Sequence, residues 1–232
     1  MVMKTQRQRP GYRRTVAAVG LLVAGGLLTC AGVLGTALLA STKVMPTGHM
    51  DPTHPTGSRV TFNLLASEVN RGQVVLFEGS AWEDPSLHVE RVVAVGGDHI
   101  AYKHGDRTLT LNGKPLDEPY VLNGDPVAGS RGAFSVKVPE GRLFVLGDNR
   151  QNSADSRYHF DESEGGTIPL SAVKGPLLTF DDPLAVLLGS SLVTGLGLLL
   201  LSAVSGIAAR LARRRALTAW TTGAATVSGV PR

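Results

Sequence analysis

Leu87-His88-Val89-Glu90-Arg91-Val92-Val93-Ala94-Val95 reads as a β-strand. Successive side chains of an extended chain point to opposite sides. Leu87, Val89, Arg91, Val93 and Val95 therefore share one face, and His88, Glu90, Val92 and Ala94 the other. Gly96-Gly97-Asp98 closes the run with turn residues. Working outward, RVTFNLLA (59–66), QVVLFEG (73–79), HIAYKHG (99–105), TLTLNG (108–113), AFSVKVPEG (133–141) and RLFVLGD (142–148) have the same character. Each is short, β-branched and bounded by Gly, Pro, Asn or Asp. Asn112-Gly113 is a hairpin signal. EDPS (83–86), NGDPVAGSRG (123–132) and DESEGG (161–166) read as surface loops. No helical period of useful length occurs between 42 and 183, so this region is expected to be mainly antiparallel β, a barrel or a sandwich.

The flanks are of another kind. Thr15–Ala40 (TVAAVGLLVAGGLLTCAGVLGTALLA) and Leu184–Ala209 (LAVLLGSSLVTGLGLLLLSAVSGIAA) are each 26 residues without a charge. A helix needs about 20 apolar residues to cross a hydrocarbon core, so each predicts a transmembrane helix, over 15–41 and 184–209. A cleaved leader would end in an A-x-A-like site, but Ala37-Leu38-Leu39-Ala40-Ser41 breaks every such frame with a Leu. Arg13 and Arg14 flank the first span; Arg210, Arg213, Arg214 and Arg215 flank the second. The excess of positive charge on cytoplasmic flanks puts both the basic N-terminus (1–14) and the basic tail (210–232) in the cytoplasm. The domain at 42–183 is then extracytoplasmic, in a two-pass protein of the cytoplasmic membrane. The segment after Arg215 reads as irregular, with Trp220 at the membrane interface.

Composition agrees with this division. Of 23 Lys and Arg, five lie in 1–41 and five in 184–232, with no acid in either segment, leaving 13 basic against 19 acidic residues in 42–183. An acidic middle between basic ends argues against nucleic acid as a partner. One cysteine, Cys30, excludes an intramolecular disulfide and a Cys/His zinc framework. Its bland reading is a small apolar side chain inside the first span.

Three boxes carry the chemistry. Pro46-Thr47-Gly48-His49-Met50-Asp51-Pro52-Thr53 follows the first span. Glu90-Arg91-Val92-Val93-Ala94-Val95-Gly96-Gly97-Asp98 lies in the strand quoted above. Gly147-Asp148-Asn149-Arg150-Gln151-Asn152-Ser153-Ala154-Asp155-Ser156-Arg157 comes third. In this order, beside an anchor, they resemble the boxes of type I signal peptidases, P-S-x-S-M-x-P-T, K-R-x-x-G-x-P-G-D and G-D-N-R-x-N-S-x-D-S-R. Gly72–Phe77 resembles the family's G-D-x-V-x-F strand, and Gly166-Thr167-Ile168-Pro169 its G-x-x-P. The resemblance covers about 45–180 and the third box is the most specific part of it. It implies a signal-peptidase-like β domain with a cap inserted at 99–141 and a transmembrane helix at each end. The implied activity is serine endopeptidase cleavage of signal peptides from exported preproteins, with Ser attacking and a neutral Lys as base.

Carried over position by position, the resemblance meets a break. His49 stands at the nucleophile's position and Glu90 at the base's. Thr47 stands at the position of a hydroxyl that assists the oxyanion hole. Ser153 would orient the base, and Arg91 with Asp148 and Asp155 with Arg157 would form the supporting ion pairs. Met50, Pro52, Val92 and Val93 would lie near a substrate that adds as a strand. Ala94, Gly96, Gln73, Gln151 and His54 are smaller departures. A partly buried His49–Glu90 pair would be a charge-assisted hydrogen bond. A metal site from His49, His54, His88 and Glu90 is conceivable, as His88 and Glu90 share a strand face, but no established spacing supports it. Nothing indicates a cofactor or a metal.

Loss of a covalent nucleophile costs a hydrolase roughly six decades in rate. The favoured expectation is therefore a catalytically impaired paralogue, a pseudoenzyme that still binds the signal peptides of preproteins in the lipid bilayer. It would hold, deliver or compete for preproteins, beside an active signal peptidase or the translocation machinery. The alternatives are an active signal peptidase with an atypical His/Glu centre, and a purely structural membrane protein.

Overall fold

The structure, a computed structural model, describes residues 12–128 and 132–227, the last nine of these as backbone only. Lys4, Arg7, Arg9 and the side chain of Trp220 fall outside the described residues. The chain forms two compact units, one of the two terminal helical segments and one spanning Ala37–Asp182.

The second unit is mainly antiparallel β. Its strands are β1 (Ala40–Val44), β2 (Arg59–Asn63), β3 (Val74–Glu78), β4 (Leu87–Val95), β5 (His99–Tyr102), β6 (Thr110–Leu111), β7 (Lys114–Pro115), β8 (Phe134–Lys137), β9 (Arg142–Leu146), β10 (Ile168–Pro169) and β11 (Val173–Pro176). A five-stranded sheet runs β10-β9-β4-β3-β11, and a four-stranded sheet runs β7-β6-β5-β8. β1 pairs with β2, and a bridge from Phe62 to Leu177 ties that ribbon to the end of β11. The β6–β7 hairpin turns on Asn112 (φ 52°) and Gly113 (φ 77°), two positive dihedrals in a row. A two-residue turn of that hand matches strand twist and calls for Asn-Gly.

β4 is apolar at six of its nine residues, in a sheet covered on both faces, and it feeds three core clusters. Val89 packs with Met45, Met50, Val60, Phe62, Val74 and Leu76. Val92 packs with Val75, Phe77, Trp82, Leu143, Val145 and Ile168. Val93 and Ala94 both pack with Ile100, Tyr102, Val136, Phe144 and Leu146. The strict alternation expected over Leu87–Val95 therefore breaks. Val92 faces Val145 and Ala94 faces Phe144, leaving Val93 as an extra residue between consecutive partners. Such a bulge bends the strand and re-aims the side chains beyond it.

In the other unit, α1 (Tyr12–Leu39) and α2 (Pro183–Val227) are both long and apolar enough to cross a membrane. Ala18, Gly25 and Gly32, seven residues apart, are the buried positions of α1. A Cβ on Gly25 would come within 2.8 Å of the Gly195 carbonyl, and Ser202 Oγ donates to the Ala18 carbonyl at 2.7 Å. Small residues allow this close approach. The segment after Arg215, expected as irregular, instead continues α2 to Val227. Ala and Leu supply the helix propensity there; residues 228–232 lie outside the described part.

Candidate active site

The first box forms a loop with one 3₁₀ turn at Gly48–Met50. Met50 is its apolar anchor, fully buried beside Val89 and Phe62. The peptide bond between Asp51 and Pro52 is cis. The third box holds the loop from the other side. Asn149 donates its backbone N–H to the His49 carbonyl and its Nδ2 to the Gly48 carbonyl, each at 2.9 Å. Gly147 lets these segments meet: a Cβ there would lie 2.5 Å from Ser153 Cβ and 2.7 Å from the His49 oxygen.

His49 is half-buried, and both ring nitrogens are engaged. Nε2 lies 2.9 Å from the Val89 carbonyl and Nδ1 lies 2.7 Å from Thr47 Oγ1. A carbonyl only accepts, so Nε2 carries the proton. Burial lowers the His49 pKa below its ordinary value. In that neutral ring, Nδ1 presents a lone pair and accepts from the Thr47 hydroxyl. The position of Val89 follows from the sheet. The N–H and C=O of Val92 bond to Gln73 and Gly72 on the β3 side. With a period of two, those of Val89 face away from β3. On that side β9 ends opposite Arg91, so the first residues of β4 have no strand partner there. His49 caps an open sheet edge.

Glu90 rises from β4 into a fully buried position. Oε1 accepts from Ser153 Oγ at 3.0 Å, while Oε2 has no partner among the described residues. Burial first, then the negative charge of Asp155, push its pKa well above the carboxylate range, against the lowering by Ser153. A carboxyl so placed keeps its proton to higher pH than an exposed one, and while protonated it cannot accept another. The charge-assisted His49–Glu90 pair expected from the sequence is not formed. Val89 and Thr47 take the imidazole, and Ser153 takes the carboxyl. Among the described residues, no three His, Cys, Asp or Glu side chains come together to hold a metal ion. His88 stacks on Phe77 at 5.4 Å and bonds to Asp84 at 3.0 Å.

Around this centre runs a dense set of buried ion pairs. Arg91 donates to both oxygens of Asp148, at 2.7 and 2.5 Å, and to the Gly72 carbonyl at 2.7 Å. Its guanidinium lies 4.1 Å over the Tyr120 ring. Arg157 donates twice to Asp155, each at 2.8 Å, and once to the Arg150 carbonyl at 2.8 Å. Asp155 also accepts from the Gly147 N–H at 3.2 Å. Arg150, fully enclosed, donates to Glu118 at 2.6 Å, to the Pro126 carbonyl at 2.7 Å and to the Gly147 carbonyl at 2.8 Å. Sequence reasoning gave no role to Arg150, Asn149, Glu118 or Tyr120. The first two stand inside the third box and were findable there; Glu118 and Tyr120 carry no local signal. Of the expected substrate contacts, Met50, Val92 and Val93 have their side chains in the core, and Pro52 is exposed.

A family model described as "Signal peptidase, peptidase S26" matches residues 17–179. The chain belongs to the signal peptidase family. A probable signal peptidase I of Mycobacterium leprae is 37% identical over 143 residues, 50% of this chain and 49% of that protein. Signal peptidase IB of Staphylococcus aureus is 38% identical over 128 residues, 47% of this chain and 63% of that protein. The chain thus spans about half to two thirds of the length of the curated relatives it matches. A crystal structure of a signal peptidase I from Enterococcus faecalis matches at 28% identity and a TM-score of 0.38, covering 48% of this chain and 97% of the other.

Proposed function

We propose that this signal peptidase family member binds the signal peptides of exported preproteins and is impaired in the Ser/Lys chemistry of the family. The observation that carries the reading is the fate of the two dyad positions. His49 is tied to the sheet edge, and Glu90 is a buried carboxyl on Ser153 whose pKa burial raises. Neither is a nucleophile, and neither is a base for the other. The open edge of β4 beside Val89 supports binding, since an extended peptide adds to such an edge through its backbone. His49 would swing off the Val89 carbonyl as the peptide takes that acceptor. In this reading β1–β11 lie outside the cytoplasmic membrane, with both helices crossing it and both termini inside. The clustered arginines at Arg13, Arg14 and Arg210–Arg215 support that orientation. An active signal peptidase or the translocation machinery is the natural neighbour of such a protein.

A second reading rests on one distance. Thr47 is exposed, and its hydroxyl lies 2.7 Å from the unprotonated Nδ1 of His49. A Thr–His pair of this geometry resembles an activated nucleophile. Thr47 Oγ1 would attack the scissile carbonyl carbon as its proton passes to Nδ1. That proton would then go to the leaving amine, and water would release the acyl group from Thr47.

Purified full-length protein in detergent, given a fluorogenic preprotein peptide and a non-hydrolysable mimic of the same cleavage region, separates the readings. Binding of the mimic without turnover is expected. Turnover that disappears in Thr47→Val establishes the second reading, and absence of both binding and turnover leaves a structural membrane protein.

A further inference from the structure

Between α1 and α2, at the end where both helices turn basic, lies a groove of about 350 Å³. This is the lower end of the size range of small-molecule pockets. Val19 and Leu22 line it from α1, and Gly206 and Ala209 from α2. Arg210 and Arg213 stand at its rim, both exposed, and Arg213 reaches across to donate to Thr15 Oγ1 at 3.0 Å. No acid occurs in either helix, so the two guanidinium groups face no carboxylate of their own unit. The floor is open at Gly206, where an added Cβ would meet nothing within 4 Å.

We infer that this groove binds an anionic phospholipid. The headgroup phosphate would lie on Arg210 and Arg213, and one acyl chain would follow Val19, Leu22 and Gly206. Charge complementarity selects the ligand. A cationic rim directly above an apolar trough matches an anionic headgroup above its chain, and basic pockets between spanning helices on the cytoplasmic side favour such lipids. Arginine suits the phosphate because its planar fork donates in pairs. The inference rests on the reading of both helices as membrane spans.

Native mass spectrometry of the full chain in detergent, with equal dioleoyl phosphatidylglycerol and dioleoyl phosphatidylcholine, tests it. Preferential retention of phosphatidylglycerol is expected. Arg210→Gln with Arg213→Gln should reduce that preference by about fivefold per arginine. Arg214→Gln with Arg215→Gln, outside the groove, should leave it largely intact. Gly206→Leu should expel the lipid by filling the trough while every charge remains. Equal retention of the two lipids overturns the site, as does an equal loss from both arginine pairs, or a dimer that excludes lipid. A chain that stays soluble without detergent overturns the membrane reading itself.

Discussion

Two sets of polar side chains are buried within a few residues of each other around β4, and they are satisfied to different degrees. In the frame of the second and third boxes, Arg91, Arg150 and Arg157 each bond a carboxylate and a backbone carbonyl, and Asp155 accepts from both a guanidinium and a backbone N–H. At the positions proposed for the dyad, Glu90 keeps one oxygen without a partner among the described residues, and His49 bonds the Val89 carbonyl on an edge that β9 does not cover. The frame is over-determined, while the centre keeps one unpartnered carboxyl oxygen among the described residues. A buried charge stripped of its partner is expensive, so the frame resists change. A centre with loose ends tolerates replacement, which makes it the part of the site where chemistry can be lost while the fold persists.

The largest effect should come from restoring the centre within the frame. His49→Ser with Glu90→Lys returns the residue types of the family boxes, and removing a comparable nucleophile costs about six decades. Cleavage of the fluorogenic peptide should then rise by at least about 10³-fold over the parent, and Ser153→Ala in that background should lower it again. A double variant as silent as the parent, though folded, would mean that the frame no longer presents a substrate groove.

Breaking the frame comes next. Arg157→Met leaves Asp155 buried without its guanidinium, at an expected cost of about 3–5 kcal/mol. Urea unfolding of the full chain measures this. A loss below about 1 kcal/mol would show that the two regions do not differ in the way described.

Glu90→Gln acts in the opposite direction. The folded carboxyl keeps its proton at pH values where an unfolded glutamic acid, with a pKa near about 4.3, has lost it. Its contribution is therefore fully present below that value and fades as pH rises through the folded pKa. Glutamine keeps the shape and cannot ionise. The variant should match the parent at pH 4 and exceed it at pH 8, by about 1–3 kcal/mol, the scale of one unsatisfied buried polar group. An unchanged pH dependence would mean that Glu90 finds a partner in solution.

These contrasts also mark what could be read from the sequence. The β class, the apolar helices at each end and the segments that meet at the centre follow from period, composition and the three boxes. Hidden features depend on register. Alternation assigns Val93 a face, and only the pairing of Val92 and Ala94 with consecutive residues of β9 reveals the extra residue. Glu118 reaches Arg150 across a separation of 32 residues that contains β8 and β9, a closure that no local pattern announces. The helix contact runs through Ala18, Gly25 and Gly32 at a spacing of seven, the period of helices that cross at a shallow angle, which the apolar composition alone does not mark. The His49–Glu90 pair failed as an expectation because sequence places residues on a strand without saying which backbone carbonyls lack a strand partner.

The smallest effect is the most discriminating for His49. Two partners compete to set its tautomer, and they are not equivalent. The Val89 carbonyl can only accept, whereas the Thr47 hydroxyl can give or take a proton, so Val89 dictates and Thr47 adapts. Thr47→Val should therefore cost only about 0.5–1.5 kcal/mol, one ordinary hydrogen bond. The ring should remain the Nε2–H form, read from imidazole ¹⁵N shifts at pH 8. A switch to Nδ1–H would show that Thr47, not the edge of β4, orients the ring. In the parent the hydroxyl would then be what holds the Nε2–H form, by donating to Nδ1.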